Sequence, residues 1–208
     1  MKAYIVKGEK GIGKTDFSVN LAEYLQKNGK VLLLQGKRNA NSNIEDFFQK
    51  DGMITYDLAD YFSSLTSLDD IIVHETDKLD FIISPLLEEK YDLTSEDLNK
   101  LLSEVSYDYV ILDDVNPSLL ENKTLIQIIS KDQVSNAIDA DAFFINKIDD
   151  SYDIRRDKQV LDGKSARFLG TVKDGEYFKG VIENLVNENA VAIPKLGFFE
   201  KLKMGFRK

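Results

Sequence analysis

Eight residues near the N-terminus, Gly8-Glu9-Lys10-Gly11-Ile12-Gly13-Lys14-Thr15, constrain this chain more than any other segment. An apolar stretch at 3–6 runs into them as a candidate strand. A stretch at 15–27, with Phe17, Leu21, Ala22 and Leu25 on one helical face, runs out of them. The octapeptide fits the P-loop pattern G-x-x-x-x-G-K-[ST]. Glycines let the backbone curl until successive N–H groups point inward at phosphate oxygens. The positive end of the following helix adds to that anion site. In such a loop Lys14 reaches the terminal phosphates and the Thr15 hydroxyl binds Mg²⁺. The expected nucleotide-binding residues are therefore Gly8, Glu9, Lys10, Gly11, Ile12, Gly13, Lys14, Thr15 and Asp16, with Lys14 catalytic.

Further short apolar runs follow at 31–34, 81–83, 109–112, 125–129, 142–145 and 167–169. Nearly continuous apolar runs suit parallel strands covered on both faces. The segment 95–105 predicts the clearest helix, with Leu98, Leu101, Leu102 and Val105 on one face and Thr94 with Asp97 as its capping start. The segments 68–73, 132–138 and 180–185 are weaker helical stretches. This alternation predicts an α/β fold: a doubly wound, mostly parallel sheet flanked by helices. The chain has three prolines and no low-complexity linker, so it reads as one nucleotide-binding domain, 1–193, and a tail, 194–208.

Composition narrows the function. The chain has no Cys, which removes disulfides, thiolate metal sites and a Cys nucleophile, and fits a reducing cytoplasm. A formal net charge of −9 argues against non-specific nucleic-acid binding, and no direct nucleic-acid partner is expected. No signal peptide is expected, and no apolar run approaches the roughly 20 residues that cross a bilayer. His74, the one histidine, stands in the polar stretch His74-Glu75-Thr76-Asp77 and reads as a surface residue. The acids Glu88, Glu89 and Asp92 read as a solvated run.

Two further elements bear on a nucleotide. Tyr107-Asp108-Tyr109-Val110-Ile111-Leu112-Asp113-Asp114 places an acid at the end of an apolar strand, where Asp113 can hold Mg²⁺ through its water shell. Asn146-Lys147-Ile148-Asp149 follows the run at 142–145, and Asn146 can bond a purine edge. An N-K-x-D tetrapeptide after a strand also resembles the guanine-reading motif of many GTPases, so ATP is expected with GTP as an alternative.

Together these segments resemble the MinD/ParA family of P-loop ATPases with a deviant Walker A loop, most of all its MinD branch. The resemblance continues through Tyr56-Asp57-Leu58-Ala59-Asp60, Ser67-Leu68-Asp69-Asp70, Leu79-Asp80-Phe81-Ile82-Ile83-Ser84-Pro85 and the segment 93–102, to Phe168-Leu169-Gly170-Thr171-Val172. It implies an ATP-dependent homodimer that moves between cytosol and membrane or scaffold and positions cellular machinery. The departures are equally specific. The family's signature lysine follows the first P-loop glycine; here Glu9 stands there and Lys10 comes one place later, so Lys10 is the candidate second catalytic cation. The family's D-x-D after the second strand, whose second Asp helps position the attacking water, reads Gln35-Gly36-Lys37. The family's D-x-P-x-G reads Asp113-Asp114-Val115-Asn116-Pro117. Phosphate and Mg²⁺ binding are therefore expected to persist while hydrolysis is slow. Charge alone suggests Lys37 as a partner for Glu9.

The tail carries the opposite charge to the body. Residues 195–208 hold five basic residues and one acid, a net of +4, which leaves −13 on the rest. On a helix Leu196, Phe199, Leu202 and Phe206 share one face, with Phe198 at its edge and Lys201, Lys203, Arg207 and Lys208 on the flanks. That pattern suits an anionic membrane surface, and it resembles the C-terminal membrane-targeting helix of the family's MinD branch. The expected location is cytoplasmic, peripheral at the inner face of the cell membrane. Two alternatives stand beside this reading. One is a degenerate, non-hydrolysing adaptor in a division, secretion or pilus apparatus. The other is a GTPase of the metallochaperone type.

Overall fold

The computed structural model describes residues 1–40, 42–87 and 91–197. They fall into two compact units, Met1–Ile128 and a second that begins at Ile129.

In chain order the first unit holds β1 (Lys2–Gly8), α1 (Lys14–Leu25), β2 (Val31–Gln35), α2 (Ile44–Phe47), α3 (Leu58–Phe62), α4 (Leu68–Ile71), β3 (Val73–Thr76), β4 (Leu79–Ile82), α5 (Ser95–Glu104), β5 (Tyr109–Asp113) and β6 (Thr124–Ile129), whose last residue is the boundary. The strands lie in the order β3-β4-β2-β5-β1-β6. β1 runs parallel to β5 and β6, and β2 runs parallel to β4 and β5. Only the edge strand β3 is antiparallel to its neighbour. This is the mostly parallel α/β sheet that the alternating apolar runs predict. The cause is burial: Ile5, Val6, Leu32, Leu33, Leu34, Val110, Ile111 and Leu112 are wholly inaccessible. Strands without a solvated face need helices over them. α1 packs on β1, β2 and β5, burying Phe17, Leu21, Ala22 and Leu25 completely.

The pairing register positions the functional ends. Val6 of β1 is opposite Asp113 of β5, and Gln35 of β2 is opposite the same Asp113. The carboxyl ends of three adjacent strands thus open at one place, where ligands of open α/β sheets bind.

Several local expectations are corrected. The stretch at 68–73 is helical only to Ile71, and Val73–Thr76 then turns back as β3 against β4. Ile71, Ile72 and Val73 are β-branched, and pairing along β4 outweighs a weak helical pattern. The short helices α2 and α3, absent from the sequence reading, are each started by a capping box, Asn43 with Asp46 and Asp57 with Asp60. At α5 the expected box forms: Thr94 N–H donates to Asp97 Oδ2 at 3.0 Å, and Asp97 N–H to Thr94 Oγ1 at 3.2 Å. His74 is exposed as expected, although its Nδ1 lies 2.6 Å from Asp80 Oδ1.

The second unit holds β7 (Ala142–Ile148), α6 (Lys158–Asp162), β8 (Arg167–Lys173) and α7 (Lys179–Val186). β7 and β8 are parallel and cover a core of Ile129, Val134, Phe143, Ile145, Leu161 and Phe168. The helix expected at 132–138 is instead one 3-10 turn, Lys131–Gln133. Ser135 and Asn136 compete for backbone bonds there, and the Asn136 N–H closes a turn onto the Gln133 carbonyl at 2.9 Å. Among the described residues no helix is long and apolar enough to cross a membrane. Of the tail, Leu196 is partly buried; Phe198, Phe199, Leu202 and Phe206, like Glu88 and Glu89, lie outside the described residues.

Candidate functional site

The loop after β1 curls because glycine alone fits two of its constraints. A Cβ on Gly8 would lie 2.7 Å from the Ile128 carbonyl oxygen and 2.8 Å from Ile12 Cγ2. Gly13, at φ 92, caps α1 in the left-handed region, and its carbonyl accepts the Phe17 N–H at 3.0 Å. The N-terminus of a three-turn helix therefore faces the loop. Lys14 opens that helix and is buried. Its Nζ donates to the Glu9 carbonyl at 3.2 Å and lies 3.6 Å from Asp114 Oδ2.

Thr15 and Asp113 meet beneath the loop. Thr15 Oγ1 donates to Asp113 Oδ2 at 2.6 Å, and Ser18 Oγ donates to Asp113 Oδ1 at 3.2 Å. Asp113 is wholly inaccessible. Burial pushes its carboxyl up to about 6; the charge of Asp114 adds to this, and the bonds from Thr15 and Ser18 oppose it. It is still largely ionised at neutral pH. A hydroxyl and a carboxylate in contact form a hard oxygen pair of the kind Mg²⁺ takes while keeping its other positions for water and phosphate. Among the described residues no group of three or more His, Cys, Asp or Glu is placed to hold a metal, and this pair suits a Mg²⁺ ion that is also bound by phosphate. Thr15 and Asp113 would hold it, and it would neutralise phosphate charge.

The remaining predicted loop residues divide. Ile12 is buried; Glu9, Lys10, Gly11 and Asp16 are exposed. Asp16 accepts the Asn20 amide at 3.0 Å. Glu9 and Lys37 are both exposed and form no ion pair with each other, which corrects the charge-based expectation.

Asn146 belongs to the second unit and is buried within β7. The strand continues to Ile148 rather than stopping at 145, so the tetrapeptide begins inside it. Lys147 follows at φ 57. The Asp149 carboxylate is taken up by the Lys131 ammonium and the Ser151 hydroxyl, which hold it far below the ordinary carboxylate range.

The loop that leaves β2 contributes residues absent from the sequence reading. Asn39 Nδ2 donates to Thr15 Oγ1 at 2.9 Å. Asn43 clamps Asn39 from both sides: its Oδ1 accepts the Asn39 N–H at 2.7 Å, and its Nδ2 donates to the Asn39 carbonyl at 3.1 Å. Arg38 pairs with the buried Glu45 at 2.7 Å. Gln35 is wholly inaccessible, and its Oε1 accepts the Ile44 N–H at 3.4 Å. Ser18 was within reach of sequence reasoning, since it lies one turn beyond Thr15 on the same helix face. The Asn39–Asn43 clamp was not, because it depends on the path of a loop.

A glycine-curled loop, a helix N-terminus, a buried lysine and a hydroxyl–carboxylate pair define a P-loop nucleotide-binding fold. No family model matches the chain, and no curated protein matches it in sequence. Solved structures do match its fold. A plasmid partition protein from Borrelia burgdorferi is 19% identical, with 90% of this chain and 98% of that one covered at a TM-score of 0.68. MinD in the MinC:MinD cell division complex of Aquifex aeolicus is 14% identical, with 95% and 100% covered at 0.67. The septum site-determining protein MinD of Pyrococcus horikoshii, solved with Mg-ADP, is 18% identical, with 87% and 84% covered at 0.62. The fold is that of the MinD/ParA-type P-loop proteins. At these identities the likeness concerns the fold.

Proposed function

We propose that this chain is a MinD/ParA-like switch protein that binds Mg-ATP, dimerises on it, associates with the inner face of the cell membrane and positions cellular machinery. The observation that carries this reading is the 2.6 Å contact of Thr15 with Asp113 directly behind the buried P-loop lysine. Slow hydrolysis follows from the strand beside it: where the resemblance expects two acids, Gln35 is buried and neutral and Lys37 is exposed and cationic. ATP is favoured over GTP because the Asp149 carboxylate is already engaged by Lys131 and Ser151. The membrane step rests on the sequence of the tail. One short amphipathic helix binds weakly, whereas a dimer presenting two gains by avidity. Lys37 also favours a second reading, an adaptor that binds nucleotide without turning it over.

Co-sedimentation with anionic liposomes separates these readings. ATP is expected to promote sedimentation, and both Lys14→Ala and truncation after Pro194 are expected to abolish it. Sedimentation that needs the tail but ignores nucleotide selects the adaptor. A full-length chain that never sediments removes the membrane step.

A further inference from the structure

The acid that the site lacks after β2 has a counterpart one strand away. Gln35 is paired with Asp113 across β2 and β5, and the Gly36 N–H donates to the Asp113 carbonyl at 2.8 Å. A Cβ on Gly36 would lie 2.7 Å from Val115 Cγ2 and 3.0 Å from the Asp114 carbonyl oxygen. The chain leaving β2 and the chain leaving β5 therefore run side by side. On the β2 side the charged residue, Lys37, is exposed and forms no ion pair among the described residues. On the β5 side Asp114 adopts φ 55, a left-handed conformation that Asp accepts more readily than most side chains. Its carboxylate then lies 3.6 Å from the Lys14 ammonium.

Among the described residues, the carboxylates that touch the side chains of Lys14 and Thr15 are those of Asp113 and Asp114. Asp113 is sealed from solvent, with each oxygen engaged by a hydroxyl. Asp114 is 34% exposed, so water reaches it.

We propose that Asp114 positions the water that attacks the terminal phosphate, the task for which Lys37 is chemically unsuited. The proposal rests on the nucleotide-binding reading above. Lys14 holds the terminal phosphoryl group, and the Asp114 carboxylate beside it accepts a hydrogen bond from the incoming water. The water oxygen forms a bond to the terminal phosphorus. The bond from that phosphorus to the bridging oxygen breaks, and its electron pair stays on the nucleoside diphosphate. The proton lost by the water passes to the solvent that reaches this side of the site. Before reaction the same carboxylate repels the triphosphate, so its charge opposes binding while aiding turnover.

The test measures single-turnover ATP hydrolysis and ATP affinity on the full chain, comparing the wild type with Asp114→Asn, Asp114→Gly and Asp114→Glu. Asn and Gly both accept a positive φ, so neither is expected to unfold the site. The expected result is hydrolysis lowered about 100-fold in the Asn and Gly variants, partial rescue by Glu, and ATP bound as tightly as in the wild type or tighter. Unchanged or faster hydrolysis in Asp114→Asn overturns the proposal and leaves Asp114 as a competitor for Lys14. A wild type that binds ATP without hydrolysing it overturns the proposal and spares the binding reading. A wild type that does not bind ATP removes both.

Discussion

The corner where β1 and β5 end and the loop that leaves β2 touch through a side-chain hydrogen bond, Asn39 to Thr15, and a backbone one, Gly36 to Asp113, yet they are built on different rules. The corner is charged and compact: Lys14, Thr15 and Ser18 at the start of α1 and Asp113 at the end of β5 are all buried. Its residues are the ones phosphate and Mg²⁺ chemistry asks for. The loop is assembled from amides, with Gln35 and Asn43 holding backbone groups that a short path would otherwise leave unpaired. Its charges are Lys37, which is exposed, and Arg38 with Glu45, which are paired to each other. The contrast separates two tasks that a P-loop fold combines. Binding needs the corner, whereas turnover needs an acid near the terminal phosphate, and the β2 loop does not offer one. A chain can therefore keep its affinity while its hydrolysis moves to another residue or slows.

The comparison breaks most sharply at Asp113. Its carboxyl is raised to about 6 by burial, so within the native fold the charged form is disfavoured relative to the unfolded chain. The folded protein binds the extra proton between the ordinary carboxyl value near 4 and about 6, and stability falls as pH rises through that window. Asp113→Asn removes the buried charge. We expect it to stabilise the protein without nucleotide by about 3 kcal/mol at pH 8, and by little near pH 4. The same variant should lose the Mg²⁺-dependent part of its ATP affinity. Thermal melts at the two pH values, paired with ATP titration with and without Mg²⁺, check both halves. A variant less stable than the wild type at pH 8 would mean that the bonds from Thr15 and Ser18 outweigh the burial penalty.

The corner was legible in the sequence because its determinants are local. A glycine pattern, a lysine and a hydroxyl at fixed spacing, and an acid closing an apolar run each carry their chemistry wherever the strand order brings them. Thr94 with Asp97 was legible for the same reason, as a start signal three residues long. Asn39 and Asn43 carry no such mark, since a loop rich in Asn and Ser reads as a turn until its path is known. Asp114 read only as the companion of Asp113, because its spacing carries no mark of the left-handed backbone it adopts or of its approach to Lys14. β3 was hidden by a helical pattern that edge pairing overrode.

The loop should prove less costly to disturb than the corner. Asn43→Ala deletes both amide contacts with Asn39 just ahead of α2. The expected cost is about 1–2 kcal/mol of stability. Because Asn39 also bonds Thr15, ATP affinity should fall as well, by less than tenfold. Chemical denaturation and ATP titration measure the two effects, and hydrogen exchange should localise the loosening to residues 39–47. Affinity unchanged in the presence of that loosening would mean that Asn39 is a passive neighbour of Thr15 and that the two regions are functionally independent.

The smallest effect supplies the control that gives the others meaning. At the start of α5 the Thr94 hydroxyl accepts the Asp97 N–H, and the Asp97 carboxylate gathers bonds from Thr94 and from the Tyr91 hydroxyl at 2.8 Å. Those bonds outweigh the burial that would raise the Asp97 carboxyl, so it lies below its ordinary value. The helix they start buries Leu98 and Leu101 completely and is held by that packing as well as by its cap. Thr94→Ala should therefore cost about 1 kcal/mol, close to the cost of losing a single cap, and leave ATP affinity unchanged. The variant carries a stability loss of the same order as Asn43→Ala with no bond to any nucleotide ligand. If both variants weaken ATP binding equally, the effect at Asn43 is a general consequence of a less stable first unit. If only Asn43→Ala weakens it, the β2 loop takes part in ordering the corner through Asn39, and the hydrogen bond from Asn39 to Thr15 has a function.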